Sequence, residues 1–450
     1  MSAPTPAAPR RASPLRALRH SNYRLFFAGQ LVSLIGTWVQ TIALSWLTYR
    51  LTGSAALLGL VGFATQIPVF LLSSVGGAVA DAADRHRIMV AAQVASMLLA
   101  AGLAVLTLEG SVHVWHVFTV AALLGTVNAF DIPARQAFVV EMVGRDDLPN
   151  AIALNSSMFN GARLVGPAVA GALLPLVGEG WCFAINAASY LAVIAALLAM
   201  RRQPVERPRP TGGLLSRMRE GFAYVHRTRP VRGLLLLVGV ASLMGSPYIV
   251  LMPIFADQVF GGDASTLGLL MSAIGVGALA GALLLAMRQQ VRGLGRWIAA
   301  AAVGYGLMLM AFAQAPSLAV ALPLLAATGF CMMIQNAASN TLIQAMVPDA
   351  YRGRVMAVYS MMFMGMMPFG ALIGGVLAQH LGAPQTVTLG GAACLAAAAV
   401  FALRLGSLRA EGRRLLLDQS VAVSDPAAAR LYEPGTGGAP LASAPRRPEA

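Results

Sequence analysis

The chain contains no lysine; all 32 of its basic residues are arginine. A Walker A phosphate loop, a protein kinase and a pyridoxal-phosphate Schiff base each need a lysine. None of these is encoded, so no ATPase and no cofactor of that kind is expected. Acid is scarce too, with 18 Asp and Glu in 450 residues, and charged residues of both signs make up only 11%. Soluble domains carry about 25%. The three cysteines, Cys182, Cys331 and Cys394, lie far apart with no ligand spacing, which argues against a disulfide framework or a cysteine metal site. Histidine numbers six, and the one close pair, His113 and His116 around Trp115, reads as incidental to an interface rather than as a metal site. No metal and no cofactor are expected.

Hydrophobic residues fill the space, at 57% of the chain. Crossing a bilayer as a helix takes about 20 apolar residues. Runs of that length fall at 24–48, 54–80, 87–108, 113–138, 150–177, 181–200, 232–256, 264–287, 296–315, 317–345, 353–380 and 385–407. The pattern predicts an all-α membrane protein of twelve transmembrane helices.

These spans form two copies of one unit. The stretch Met142 to Gly178 recurs as Met346 to Gly382, with eleven of thirty-seven positions identical, among them Phe159 and Phe363, Gly161 and Gly365, Gly166 and Gly370, Gly171 and Gly375. A composition this biased gives about three or four matches by accident. The same offset pairs Gly77 with Gly281 and Gly125 with Gly329. A repeat in one orientation implies two six-helix bundles related by an axis along the membrane normal, with a substrate site between them near mid-bilayer. That arrangement points to transport of a small molecule.

Arginine placement orients the chain, because short cytoplasmic loops collect positive charge. Arg10, Arg11, Arg16, Arg19 and Arg24 precede or open the first span, and the even-numbered loops hold Arg85, Arg87, Arg145, Arg288, Arg292, Arg296, Arg352 and Arg354. Odd-numbered loops have Arg50 against Glu109, Glu179, Asp257 and Asp263. Both termini are therefore expected in the cytoplasm. The net charge of +14 reads as topology and not as nucleic-acid binding. Residues 1–20 and 408–450, rich in Ala, Pro, Ser and Arg, are expected to be disordered cytoplasmic tails. Bundles are expected at 21–200 and 231–407, joined by a basic cytoplasmic linker at 201–230 with an amphipathic helix near Leu214 to Tyr224.

Local motifs narrow the class. Between the second and third spans the chain reads Gly76-Gly77-Ala78-Val79-Ala80-Asp81-Ala82-Ala83-Asp84-Arg85-His86-Arg87. Gly77 is expected to let helices approach, Asp81 to cap a helix or pair with arginine, and Arg85 and Arg87 to hold the loop at the surface. This resembles the loop signature of the major facilitator superfamily, with Ala82 and Asp84 where a basic residue and a glycine are usual. Phe130 to Phe138, Leu154-Asn155-Ser156, Gly245 to Tyr248 with Leu251 to Pro253, and Pro348 to Arg354 resemble the enterobactin-exporter and macrolide-efflux branch, which includes the transmembrane secretion effectors. The resemblance implies export of small amphipathic molecules, of drug or siderophore type, across a bacterial inner membrane, driven by an ion gradient. A lysophospholipid flippase or importer on the same fold, or a non-transporting sensor or assembly partner, are the alternatives. Gly166-Pro167-Ala168-Val169-Ala170-Gly171 also looks like the antiporter motif, with Ala162 and Ala170 where glycine is frequent. No arginine stands at the fourth-span position usual in drug/proton antiporters, where Ala121 is found.

Charges within spans cost several kcal/mol and default to function. Asp131 is the candidate proton carrier, or else a static partner of Arg135 or a loop arginine; Arg163, about 20 Å into its helix by helical rise, either tunes that acid, greets an anionic substrate or is structural. Asn128, Asn155, Asn160 and Asn336, with Gln30, Gln40, Gln66, Gln335 and Asn340, either line a cavity or bond helix to helix. Gly161, Gly166, Pro167 and Gly171 read as a packing and hinge device on the fifth span. Arg352 and Arg354 close the matching loop of the second copy. The expected partners are a small-molecule substrate, the lipid bilayer and protons, with the monomer as the working unit.

Overall fold

The protein was analysed as a computed structural model, which describes residues 15–200, 214–288, 293–412 and 415. Among these residues all regular structure is helical, with no strand. Ten stretches of the described residues are long and apolar enough to cross a membrane. One of them, Val114–Leu198, runs 85 residues, several times what a single crossing takes. It is interrupted by non-helical backbone at Gly144 (φ 70°, ψ 179°) and Gly178 (φ 77°, ψ 173°). In chain order the helices are α1 (Ser21–Thr52), α2 (Ala55–Ala82), α3 (Arg85–Leu108), then α4 (114–143), α5 (145–177) and α6 (179–198) as the three pieces of that stretch. Beyond the linker helix Leu214–Arg227 come α7 (229–259), α8 (Ala264–Met287), α9 (Leu294–Ala313), α10 (Leu318–Met346), α11 (349–381) and α12 (Ala383–Leu403).

Helix ends follow local chemistry. Gly53, in the left-handed region at φ 59°, ends α1, and the Ser54 side chain then caps α2 by accepting from the Leu57 amide. Asp84 caps α3 through the His86 and Arg87 amides, and Asp263 caps α8 through those of Ser265 and Thr266. Each cap meets orphan N–H groups that the helix itself cannot satisfy. The tandem repeat is visible in the backbone. Gly382, at φ 87° and ψ 157°, opens α12 in nearly the conformation that Gly178 adopts at the start of α6, 204 residues earlier in the repeat. A side chain at either position would strain that backbone.

Two spans depart from the expected continuous helix. α11 breaks between Phe363 and Met367, where Pro368 denies the backbone an amide. α7 carries π-helical turns at Ala241–Gly245 and Phe255–Val259, on either side of Pro247 and Pro253. Wide turns of this kind relieve a helix that prolines have deprived of hydrogen bonds.

The surface is that of a protein solvated by hydrocarbon. Leu403 is 87% exposed, Leu176 79% and Leu98 63%, a pattern that water would not tolerate over so many helices. Inside, backbones meet where side chains are smallest. On α2 the close approach falls at Gly76, where a Cβ would collide with the Ala129 carbonyl of α4, whereas Gly77 has nothing within 4 Å. The close-packing role expected of Gly77 therefore belongs to its neighbour, because the helix turns about 100° per residue and only one of the pair can face α4.

Residues 15–20, expected to be disordered, are ordered. Arg16–Arg19 form a short 3-10 helix; Ala17 is fully buried and its amide donates to Asn150 Oδ1 at 2.8 Å. Residues 408–412 are likewise helical where a disordered tail was expected. Residues 1–14, 201–213, 413–414 and 416–450 lie outside the described residues, and with them most of both predicted tails and the first part of the linker. The linker helix docks on the start of α11: Arg354 pairs with Glu220 at 2.6 Å, and the rings of Tyr224 and Tyr351 stack with centroids 5.0 Å apart.

Candidate functional site

A cavity of about 390 Å³ with many polar groups in its wall lies at the seam between the two halves. α1 supplies one wall. Gln30, Ser33, Thr37, Gln40, Thr41, Ser45 and Thr48 all line it, and their spacing of three or four residues places them on one helical face. α2 adds Thr65 and Gln66, α3 adds Gln93 and Ser96, and α4 adds Asn128, Asp131 and Arg135. The second half answers with hydrocarbon. Ile249, Val250, Leu267, Met271, Met367 and Ala371 line that side, with Ser246 as its polar group. The first half adds hydrocarbon too, through Leu34, Ile42, Leu44, Leu58, Val61, Leu124 and Phe159, so the cavity is amphipathic with its polar groups concentrated on one side of the seam.

Its charges are paired. Asp131 is 4% exposed; Oδ1 accepts from Gln93 Nε2 at 3.4 Å, and Oδ2 lies 3.6 Å from Arg135, one turn along α4. The Arg135 guanidinium also stands 5.4 Å over the Phe159 ring of α5.

At the end of the bundle opposite residue 21, hereafter the far end, the halves are sewn together. Tyr49 on α1 donates to Asp257 Oδ2 on α7 at 2.6 Å, and Gln379 Oε1 on α11 accepts from Ser54 Oγ at 3.0 Å and the Ala56 amide at 3.3 Å. Two glycine pairs complete the seam. A Cβ on Gly171 of α5 would stand 2.8 Å from Gly268 Cα on α8, and one on Gly59 of α2 would stand 2.8 Å from Gly375 Cα on α11. Gly171 and Gly375 are repeat equivalents, so each half contributes one such helix.

The residues singled out from sequence divide sharply. Asp131 and Asn128 line the cavity, as do Gln30, Gln40 and Gln66. Arg163 does not join them: its guanidinium stands 6.0 Å over the Trp38 ring, and among the described residues no carboxylate pairs with it. Asn155 accepts a long 3.4 Å bond from Tyr23, Asn160 donates to its own helix at Ser156, and the backbone carbonyl of Asn336 accepts from Tyr359 at 3.0 Å. Gly161 has nothing within 4 Å, Gly166 abuts Trp38, and the Pro167 carbonyl faces Gly268.

The loop motif works as a clasp. Arg85 reaches Glu141 on α4 at 2.9 Å, Asp81 at 3.1 Å and the Ala80 carbonyl at 2.9 Å, tying the α2–α3 turn to the end of α4. Arg87, largely exposed, lies 3.5 Å from Asp84. Arg352 pairs within its own turn with Asp349 at 2.5 Å. A second clasp joins the chain's start to the α4–α5 turn, where Asp147 pairs with Arg16 and, at 2.8 Å, with His20. The hydrogen bond from His20, helped by the nearby arginines, holds the Asp147 carboxyl below the usual carboxylate range.

Sequence reading missed the hydroxyls. Ser33, Thr37, Thr41, Ser45 and Thr48 look unremarkable one by one, since a threonine in an apolar helix can satisfy itself on the preceding turn. Their shared face, read together with Gln30 and Gln40, was the available signal.

The transmembrane secretion effector model, of the major facilitator superfamily, matches residues 12–422. The chain belongs to that family. It is accordingly a multi-pass membrane transporter. The Staphyloferrin A transporter of Staphylococcus aureus is 24% identical over 84% of this chain and 95% of its own length. A multidrug efflux pump of Mycolicibacterium fortuitum is 27% identical over 78% and 88%, and an enterobactin exporter of Shigella boydii 25% over 82% and 86%. These similar proteins carry transporter and pump names, not enzyme names. Solved structures agree on the fold. A bacterial homologue of the lysosomal transporter Spinster aligns with a TM-score of 0.64 at 15% identity, over 88% of this chain and 97% of that one. A D-xylose–proton symporter aligns at 0.63 and 16%, over 86% and 96%.

Proposed function

We propose that this transporter exports small amphipathic molecules, of drug or siderophore type, across the bacterial inner membrane by alternating access and in exchange for protons. The observation that carries the reading is the amphipathic cavity at the seam, whose polar groups sit almost entirely on the first half while both halves supply hydrocarbon. A molecule with one wet and one greasy side fits such a space, and a site shared by two bundles changes its exposure when they rock. The far-end seam supports assigning this conformation to a state closed on that side. Named efflux and siderophore-transport relatives lend the direction.

In this reading the chain crosses the membrane twelve times, both termini are cytoplasmic, the far end faces outward and the monomer suffices. Asp131 is the proton carrier. Arg135, 3.6 Å away, is its partner until the wall moves or cargo separates the pair. Arg163, with no acidic partner among the described residues, adds positive potential near the seam.

Inside-out vesicles with an acidified lumen test the whole. Uptake of at least one member of a panel of siderophores, macrolides and dyes is expected, and collapse of the pH gradient is expected to stop it. Uptake of no compound, or uptake indifferent to the gradient, refutes the proposal. Orientation has its own test: single cysteines replacing Gly110 and Gly262 react with an impermeant thiol reagent from outside, and one replacing Gly144 does not.

A further inference from the structure

We propose that the cargo carries one anionic group, a carboxylate, sulfonate or phosphate, and that Arg163 receives it at the corner where α1, α5 and α7 meet. This rests on the reading of the cavity as the cargo site and names a chemical feature of what enters it.

Arg163 stands near the middle of α5. A cation so placed costs free energy unless opposite charge or polar groups meet it. Arg50, Arg85, Arg135 and Arg354 each have an acid within 3.6 Å. Arg163, set farther from its helix ends than any of them, has none among the described residues. Its contact there is the face of Trp38, with the ring centroid 6.0 Å from the guanidinium carbon. A ring face offsets part of the charge and bonds none of the five N–H groups.

A second group nearby is also unsatisfied. Tyr248 on α7 is 1% exposed, and its hydroxyl is buried with no hydrogen-bond partner among the described residues. It lies within electrostatic reach of Arg163. A guanidinium that only donates and a phenol with a proton to give both want an acceptor, and an anionic acceptor also compensates the charge.

The corner borders the cavity on three helices. Phe159, one turn before Arg163 on the same face of α5, lines the cavity. So do Thr37 and Thr41 around Trp38, and Ser246 and Ile249 around Tyr248. Arg163 is itself partly exposed, so the residue is not sealed inside the protein. The two halves also touch here, since a Cβ on Gly275 of α8 would stand 2.9 Å from the Arg163 carbonyl. Arg135, the cation of the cavity wall, already faces Asp131. A cationic amphiphile would meet Arg163 as like charge, and an uncharged one would leave it uncompensated. An acidic one answers it, with Ile249, Val250 and Met271 against its hydrocarbon.

Equilibrium binding to the full-length protein in nanodiscs of zwitterionic lipid, read by energy transfer from tryptophan with empty discs subtracted, tests this with a matched pair of probes. One is 8-anilinonaphthalene-1-sulfonate; the other, N-phenyl-1-naphthylamine, is the same skeleton without the sulfonate. Arg163→Gln is expected to weaken the sulfonate at least about tenfold and to leave the neutral probe within about twofold, which also shows that the variant is folded. Arg163→Lys keeps the charge and is expected to hold sulfonate binding within about threefold of wild type, while Tyr248→Phe weakens it about threefold. No binding of the sulfonate to wild type, unchanged sulfonate binding in Arg163→Gln, or equal weakening of both probes by that change overturns the proposal. Sulfonate binding lost in discs that contain phosphatidylglycerol, relative to empty discs of the same lipid, would give the site to a lipid headgroup and overturn the assignment to cargo. The measurement involves no gradient and no direction, so absence of vesicle uptake would refute export without touching this result, and the reverse also holds.

Discussion

The Tyr49 hydroxyl donates a 2.6 Å hydrogen bond to Asp257 Oδ2, joining the first helix of one half to the first helix of the other at the far end of the bundle. A hydrogen bond to a charged acceptor contributes about 1.5–3 kcal/mol. Tyr49→Phe removes it and little else. The variant is expected to shift the population toward a state open at the far end by about tenfold or more, seen as faster labelling of a cavity cysteine at Ser45 by an impermeant reagent. Unchanged labelling would show that the bond does not hold the seam.

Backbone contact makes a sharper prediction. Gly171→Leu places a side chain where Gly268 Cα already stands, and the far end is expected to be unable to close, with transport lost and membrane abundance retained. Gly77→Ala, in contrast, enters open space and is expected to leave transport within about twofold, the scale of a helix-favouring surface change. Equal loss from both substitutions would contradict the packing described above.

The acid of the cavity gives a third. Asp131→Asn keeps the shape and the Gln93 contact but cannot carry a proton. Gradient-driven accumulation is expected to disappear while downhill exchange and binding persist. Full pH-driven accumulation by this variant would move the search to Asp257 or Glu141.

A pH dependence follows from Asp147. Its carboxyl is held below the usual range by His20 first and by Arg16 and Arg19 after it. A depressed folded pKa stabilises above the unfolded value, about 3.9, and that contribution is lost as pH falls through the folded value. In thermal unfolding in detergent, wild type is expected to exceed Asp147→Asn near neutrality, with the gap closing below about pH 4. A gap that stays constant across that range would assign the difference to something other than this carboxylate.

The spans, the duplication and the loop motif were legible because they depend on composition and period, which a sequence carries openly. Which of two adjacent glycines faces a neighbour was not, since a single residue's rotation decides it; Gly76 and Gly77 show the difference. Asp131 was legible as a charge in an apolar helix, and Asn128 with it. Arg163 carried the same signal, yet its side chain goes to Trp38, because a long flexible arm settles where local packing allows. The threonine face of α1 was hidden by ordinariness. A hydroxyl that bonds its own helix looks inert until the fold shows that its helical face lines the cavity.

The far-end seam has a kinetic meaning. Where Gly171 meets Gly268 and Gly59 meets Gly375, the touching surfaces are main chain, already fixed by their helices. Long side chains lose rotamer freedom on being clamped, but a glycine has none to lose. Parting and rejoining at these points changes little configurational entropy, so the barrier to reopening there is set by a few polar bonds and by van der Waals fit. Such a seam behaves as a dry, shape-keyed catch: firm when the registers match and quick to release when they slip.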